Sequence, residues 1–176
     1  SLTLEQSIVG MKVRLYGDLV YSQWPQVSLG AQYKRLDTPD VAYAVGAKDD
    51  SGTDVYLAAS KLHLGLVGGY NFLWNATLRY TEANEMGLLG FGGAHGNGGI
   101  QTELSGAVLL NQHLAIGMEY RQKPNNLGLG EDNWRDIFVA WFVNKHVSVT
   151  AAYVDLGAIA AVPDQQGWYL SIVVYY

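Results

Sequence analysis

Four segments of the chain follow one template: Val27-Ser-Leu-Gly-Ala-Gln-Tyr33, Trp74-Asn-Ala-Thr-Leu-Arg-Tyr80, Leu114-Ala-Ile-Gly-Met-Glu-Tyr120 and Val147-Ser-Val-Thr-Ala-Ala-Tyr153. Alternate positions are apolar, and each segment ends on Tyr. A period of two puts the apolar residues and the Tyr on one face of a strand, with the intervening residues on the other. A helix would scatter them around its axis. The repeat therefore constrains the chain to a sheet of similar strands rather than to a mixed fold.

Further strands fill the intervals. The alternation predicts nine in all, at about 8–16, 27–34, 55–64, 74–82, 100–110, 113–121, 134–143, 147–156 and 167–176. Tight turns are expected at Asn111-Gln112 and Asn144-Lys145. Long polar or glycine-rich connections are expected at 37–54, 87–99, 122–133 and 157–166. Long and short connections thus alternate, and the Tyr of each repeat stands just before a long one. This arrangement predicts an all-β, antiparallel up-and-down transmembrane β-barrel, with long external loops and short periplasmic turns. Tyr33, Tyr80, Tyr120 and Tyr153 would form an aromatic girdle at one interface, joined by Trp168 and Tyr176 on the last strand.

Composition excludes several classes. The 176 residues contain no cysteine, so disulfides and thiol chemistry are absent. Net charge is −5 without a basic run, which argues against nucleic acid as a partner. No run of eighteen apolar residues occurs, so no membrane helix is expected. Single-chain barrels normally have an even strand number and begin in the periplasm. Nine strands therefore lead to the expectation that residues 1–176 are one barrel domain, the C-terminal part of a longer barrel.

The last segment, Gly167-Trp-Tyr-Leu-Ser-Ile-Val-Val-Tyr-Tyr176, resembles the closing strand of bacterial outer-membrane proteins. That resemblance implies the barrel-insertion machinery and the lipid bilayer as partners. Other stretches are Ile8-Val-Gly-Met-Lys-Val-Arg14, Gly30-Ala-Gln-Tyr-Lys34, Gly46-Ala-Lys-Asp-Asp-Ser-Gly52, Gly87-Leu-Leu-Gly-Phe-Gly-Gly93, Asn144-Lys-His-Val-Ser148 and Ala152-Tyr-Val-Asp-Leu-Gly157. These resemble an uncharacterised Gram-negative family, domain of unknown function 3034. The resemblance implies an outer-membrane-type β protein located in the bacterial outer membrane, with further N-terminal strands.

No catalytic constellation emerges. Ser, His and Asp residues occur, but no spacing brings three together, and no Gly-x-Ser-x-Gly is present. An outer-membrane hydrolase is the remaining enzymatic alternative. His63, His95, His113 and His146 are scattered, and Asp49-Asp-Ser-Gly-Thr-Asp54 lacks EF-hand spacing. No metal and no cofactor is expected. The face opposite the apolar one carries the candidate functional groups: Lys12, Arg14, Lys34, Lys61 and Arg79 early, then Glu103, Glu119, Arg121 and Asp136. Basic and acidic groups would line different arcs of a lumen, giving a porin-like passive conduit for small polar or anionic solutes. Two alternatives remain. One is a scaffold or adhesion barrel that binds a protein partner through its external loops. The other is a soluble lipocalin-like barrel with its apolar face inward.

Overall fold

A computed structural model describes residues 3–159 and 162–174. Nine strands form one sheet: β1 (Gln6–Tyr16), β2 (Gln26–Leu36), β3 (Ser51–Val67), β4 (Tyr70–Thr81), β5 (Gly99–Leu109), β6 (Leu114–Arg121), β7 (Trp134–Phe142), β8 (Val147–Ile159) and β9 (Val162–Val174). Each strand pairs antiparallel with its sequence neighbours, in the order β1 to β9. The fold is the expected all-β up-and-down meander. Among the described residues β1 and β9 do not pair, so the sheet has two edges.

The turns explain the register. Gly68 and Gly69, both at positive φ, join β3 and β4 in a two-residue turn, the geometry that matches strand twist. The Oδ1 atoms of Asn111 and Asn144 accept the backbone N–H of His113 and His146, at 2.7 and 2.8 Å. These are Asx turns, the reason an Asn begins each short connection. Short turns thus gather at one end of the sheet, and the connections 37–50, 82–98 and 122–133 at the other.

One expected loop is not a loop. Residues 157–166 belong largely to β8 and β9, which stay paired out to Ile159 and Val162. Gly157, at φ 60°, sits in a bulge that absorbs the irregularity and lets pairing continue. Strand β3 is also longer than its alternation suggested, beginning at Ser51 instead of 55.

Register carries the two faces through all nine strands without exchange. On one face Val13 opposes Leu29, which opposes Leu57, which opposes Leu78. Further along, Val108 opposes Ile116, then Val139, and β8 and β9 continue with Val149 and Ile172. On the other face Lys12 opposes Gly30, Glu103 opposes Arg121, and Glu119 opposes Asp136. Polarity is inverted relative to a soluble sheet: Val9 is 74 % and Leu170 69 % exposed, whereas Lys34 is 4 % and Asp54 0 %.

The sheet curls around its polar face. Met86, in the 82–98 connection, touches both Gln6 of β1 and Arg121 of β6. Asn75 of β4 and Ser171 of β9 line one cavity of about 640 Å³. The most buried large apolar side chains, Phe91 and Leu36, lie at the loop end. There Phe91 packs on Gly52, where a Cβ would clash with the ring.

Candidate functional site

The polar face is organised by a ladder of alternating charges. Lys34 Nζ lies 2.6 Å from Asp54 Oδ2, and Arg79 Nη1 lies 3.3 Å from the same oxygen. Arg79 Nε donates to Glu103 Oε1 at 2.8 Å, and Arg121 Nη2 approaches that oxygen at 3.3 Å. The ladder crosses β2, β3, β4, β5 and β6, one charged residue from each. Arg79 also donates to Gln32 Oε1 at 3.1 Å, reaching across β3, and stacks on the Tyr56 ring at 4.6 Å. Buried charges persist only when paired and hydrogen-bonded. Arg79 meets that condition with a planar fork that serves three acceptors.

Small residues make room for this packing. Gly30 directly opposes Tyr56, and Gly117 directly opposes Phe138. A Cβ on either glycine would meet its partner's ring, at 2.7 Å from Cε1 in both cases. Two aromatic rings therefore lie against the polar wall, one over Gly30 of β2 and one over Gly117 of β6.

The structure places the expected charged residues unevenly. Lys34, Arg79, Glu103 and Arg121 meet in the ladder. Lys12 and Arg14 share the polar face on β1, where both are exposed beside the open edge. Glu119 and Asp136 oppose each other on β6 and β7 and line the cavity with Ser105, Thr150, Tyr169 and Ser171. Lys61 does not belong to the set. Its partner is Trp74, so it stands on the apolar face, buried beneath the 17–25 connection. There its ammonium donates to the carbonyls of Asp18, Val20 and Ser22. The idea of a basic arc separated from an acidic one fails for the same region, because Asp54 and Glu103 interleave with Lys34 and Arg79.

Sequence reasoning missed Asp54, assigned there to a loop. Parity with Tyr56 and Ala58 on an extended β3 is the signal that locates it. It also missed the cap. The 82–98 and 122–133 connections pack together, with Asn126 Nδ2 donating to Asn84 Oδ1 at 3.2 Å. Lys123 Nζ bridges Glu85 and Glu131 at 2.9 and 3.0 Å, all three side chains nearly buried.

The expected interface aromatics Tyr33, Tyr80, Tyr120, Tyr153 and Trp168 all project from the apolar face and are exposed. Tyr153 and Trp168 are register partners with ring centroids 5.3 Å apart, edge to face. Tyr176 lies outside the described residues.

A sheet that exposes its apolar face and buries a charged one defines a class: an up-and-down β protein with a polar interior. The chain belongs to the family described as "Protein of unknown function (DUF3034)", whose model matches residues 1–173. No curated protein and no solved structure matches it.

Proposed function

We propose that this chain forms the wall of an outer-membrane β-barrel whose polar interior is a narrow, capped path for small polar solutes. The inverted polarity of the two faces carries the reading. Apolar side chains cover one face of all nine strands, far beyond the few hundred Å² that a soluble monomer ordinarily exposes. Lipid is the solvent that such a face requires. A soluble lipocalin-like barrel needs the same face turned inward.

Register supplies two dimensions that support a bilayer. Tyr33 and Tyr80 face Thr53 and Val55 on β3; Tyr80 and Tyr120 face Ile100 and Leu104 on β5; Tyr120 and Tyr153 face Arg135 and Ile137 on β7. Each Tyr is thus displaced from the previous one, by two, four and two residues in the same sense. Eight residues over six strand intervals correspond to a level ring if the strands tilt by about 42°, taking roughly 3.3 Å per residue and 4.8 Å per strand. Membrane barrels tilt by about 35–45°. On β4, exposed Tyr70 and Tyr80 bracket an apolar face. At that tilt they stand about 25 Å apart in height, the height of the apolar band.

The interior sets the solute class. The ladder interleaves three bases with two acids and keeps one net positive charge, so most of its charge fixes wall shape and only the remainder adds to the field. Lys12 and Arg14 on one wall, and Glu119 and Asp136 on another, remain to orient a passing dipole. Small polar solutes fit this better than a strong preference for anions.

Planar-bilayer recording on the full-length protein tests the reading. Stable conductance is expected, with cation preference raised by Lys12→Glu plus Arg14→Glu and lowered by Glu119→Gln plus Asp136→Asn. Folded, inserted protein that never conducts rejects the conduit. It would leave a membrane-anchored platform whose packed loops engage a partner.

A further inference from the structure

Strands β1 and β2 stop short of their neighbours. Their last register pair is Tyr16 with Val27, whereas β3 runs on from Ser60, its last partner on β2, to Val67, and β4 starts at Tyr70. The 17–25 connection takes the place beside β3 that a longer β2 would fill: the Leu62 N–H donates to the Leu19 carbonyl at 2.8 Å. Lys61 fixes the level of this connection. Its register partner Trp74 stands four residues from Tyr70 and six from Tyr80, the two ends of the apolar face on β4. At the tilt inferred from the Tyr row these are heights of about 10 and 15 Å, so the connection sits inside the apolar band and not beyond it.

Backbone at that depth has no water to bond. The connection does without it. Asp18 Oδ1 accepts the Val20 and Tyr21 N–H groups at 2.8 and 2.9 Å, and Ser22 Oγ accepts the Trp24 N–H at 3.0 Å. The Lys61 ammonium donates to the Val20 and Asp18 carbonyls at 3.3 and 3.5 Å and to the Ser22 carbonyl, which uses all three of its donors. Three N–H groups and, with Leu19, four carbonyls of the stretch are thus held by the protein itself. A water-exposed turn has no use for this device. Water would solvate the ammonium and the carbonyls alike, and ordering a long side chain costs entropy. Yet Lys61 is only 6 % exposed. The one charged residue of the stretch, Asp18, is attracted by Lys61 and by Arg14 of β1. Outward the connection presents aromatic surface, with Tyr21 93 % exposed and Trp24 exposed beside it.

We propose that the 17–25 connection is a lipid-facing part of the wall, packed against the acyl chains of the leaflet at the short-turn end and pinned there by Lys61. The inference rests on the membrane reading above. It adds that an irregular segment completes the wall where β1 and β2 end, and that its partner is hydrocarbon. Lys61 is a positioning residue: its ammonium supplies the carbonyls with the donors that a strand ladder or water would otherwise give.

The test places a nitroxide at Tyr21→Cys in the full-length protein, folded into phosphatidylcholine vesicles; residues 1–176 contain no cysteine to compete. Power saturation compares collisions with oxygen, which concentrates in hydrocarbon, and with a nickel chelate, which stays in water. Labels at Ile116→Cys and Gln112→Cys mark the band and the water at the short-turn end. The Tyr21 label is expected to resemble the Ile116 label and to meet nickel severalfold less often than the Gln112 label. Lys61→Met should raise its nickel collisions severalfold as the connection leaves the hydrocarbon, and Lys61→Arg should keep them low. A Tyr21 label as open to nickel as the Gln112 label overturns the inference, and so does a folded Lys61→Met protein whose label has not moved. Should Lys61→Met fail to fold, the label in the otherwise native chain still decides the depth. An Ile116 label in water rejects the membrane reading as a whole; an Ile116 label in lipid with the Tyr21 label in water rejects this inference alone.

Discussion

Asp54 and Arg79, on adjacent strands of the polar face, meet at 3.3 Å, and Lys34 holds the same carboxylate oxygen from the other side at 2.6 Å. One acid thus pairs with two bases while being wholly buried. Removing it takes from Lys34 the carboxylate it pairs with and leaves Arg79 to Glu103. Asp54→Asn keeps the volume and loses the charge, and breaking a buried pair in this way costs about 3–5 kcal/mol. Urea unfolding of the lipid-inserted protein, followed by Trp fluorescence, measures that loss. Lys34→Met combined with Asp54→Leu removes a charge from each side and should recover part of it. If Asp54→Asn unfolds within about 1 kcal/mol of the native chain, the ladder contributes little to the fold.

This pair also marks the limit of what local pattern reveals. The alternation of Val27 to Tyr33 or of Trp74 to Tyr80 is a property of neighbouring residues, so strands, faces and tight turns are legible directly. Asp54 ends a run, Asp49-Asp-Ser-Gly-Thr-Asp54, whose composition reads as a turn. It becomes a strand residue only because β2 extends far enough to pair Arg35 with Ser51. Lys61 errs in the opposite sense. Its parity with Leu57 and Ala59 places it on the apolar face, and its charge suggested the polar one. What resolves the conflict is the 17–25 connection folded over it, a non-local event. Residues 157–166 read as a loop for the same reason: Pro163-Asp-Gln-Gln166 is polar, and only β8 alongside makes it a strand. The Glu85–Lys123–Glu131 cluster joins residues 46 positions apart at its ends, beyond any periodicity.

The cross-strand pair Gly117 and Phe138 gives a second prediction. The ring lies over the glycine, so any side chain at 117 must displace it. Gly117→Val should cost about 1–3 kcal/mol through overpacking, despite the better strand propensity of Val. Phe138→Ala should relieve the ring's part of the clash, while the Gly106 carbonyl, 2.5 Å from the same Cβ, remains, so the double mutant stays destabilised but by less than the two single costs added together. The coupling expected for such a contact is about 0.5–3 kcal/mol. Strictly additive values in a double-mutant cycle would mean that the ring does not rest on the glycine.

The membrane assignment itself is open to a substitution that leaves the interior untouched. Ile116 on β6 is exposed on the apolar face, four residues along the strand from Tyr120. At the tilt inferred from the Tyr row, that is about 10 Å below the ring, close to the middle of the apolar band. Arginine there must be carried into hydrocarbon. Ile116→Arg should therefore lower the folding free energy into phosphatidylcholine vesicles by about 2–4 kcal/mol, and Tyr120→Arg, at the interface, by about 0–1 kcal/mol. On a water-exposed face the order has no reason to appear, since surface substitutions lie within about 0.5 kcal/mol. Folding yield against urea in vesicles reads both variants in one experiment. Equal, near-zero penalties at 116 and 120 would remove lipid as the solvent of this face, and the conduit with it. A steep difference between the two positions would fix the depth of β6 and, through the register, that of every other strand.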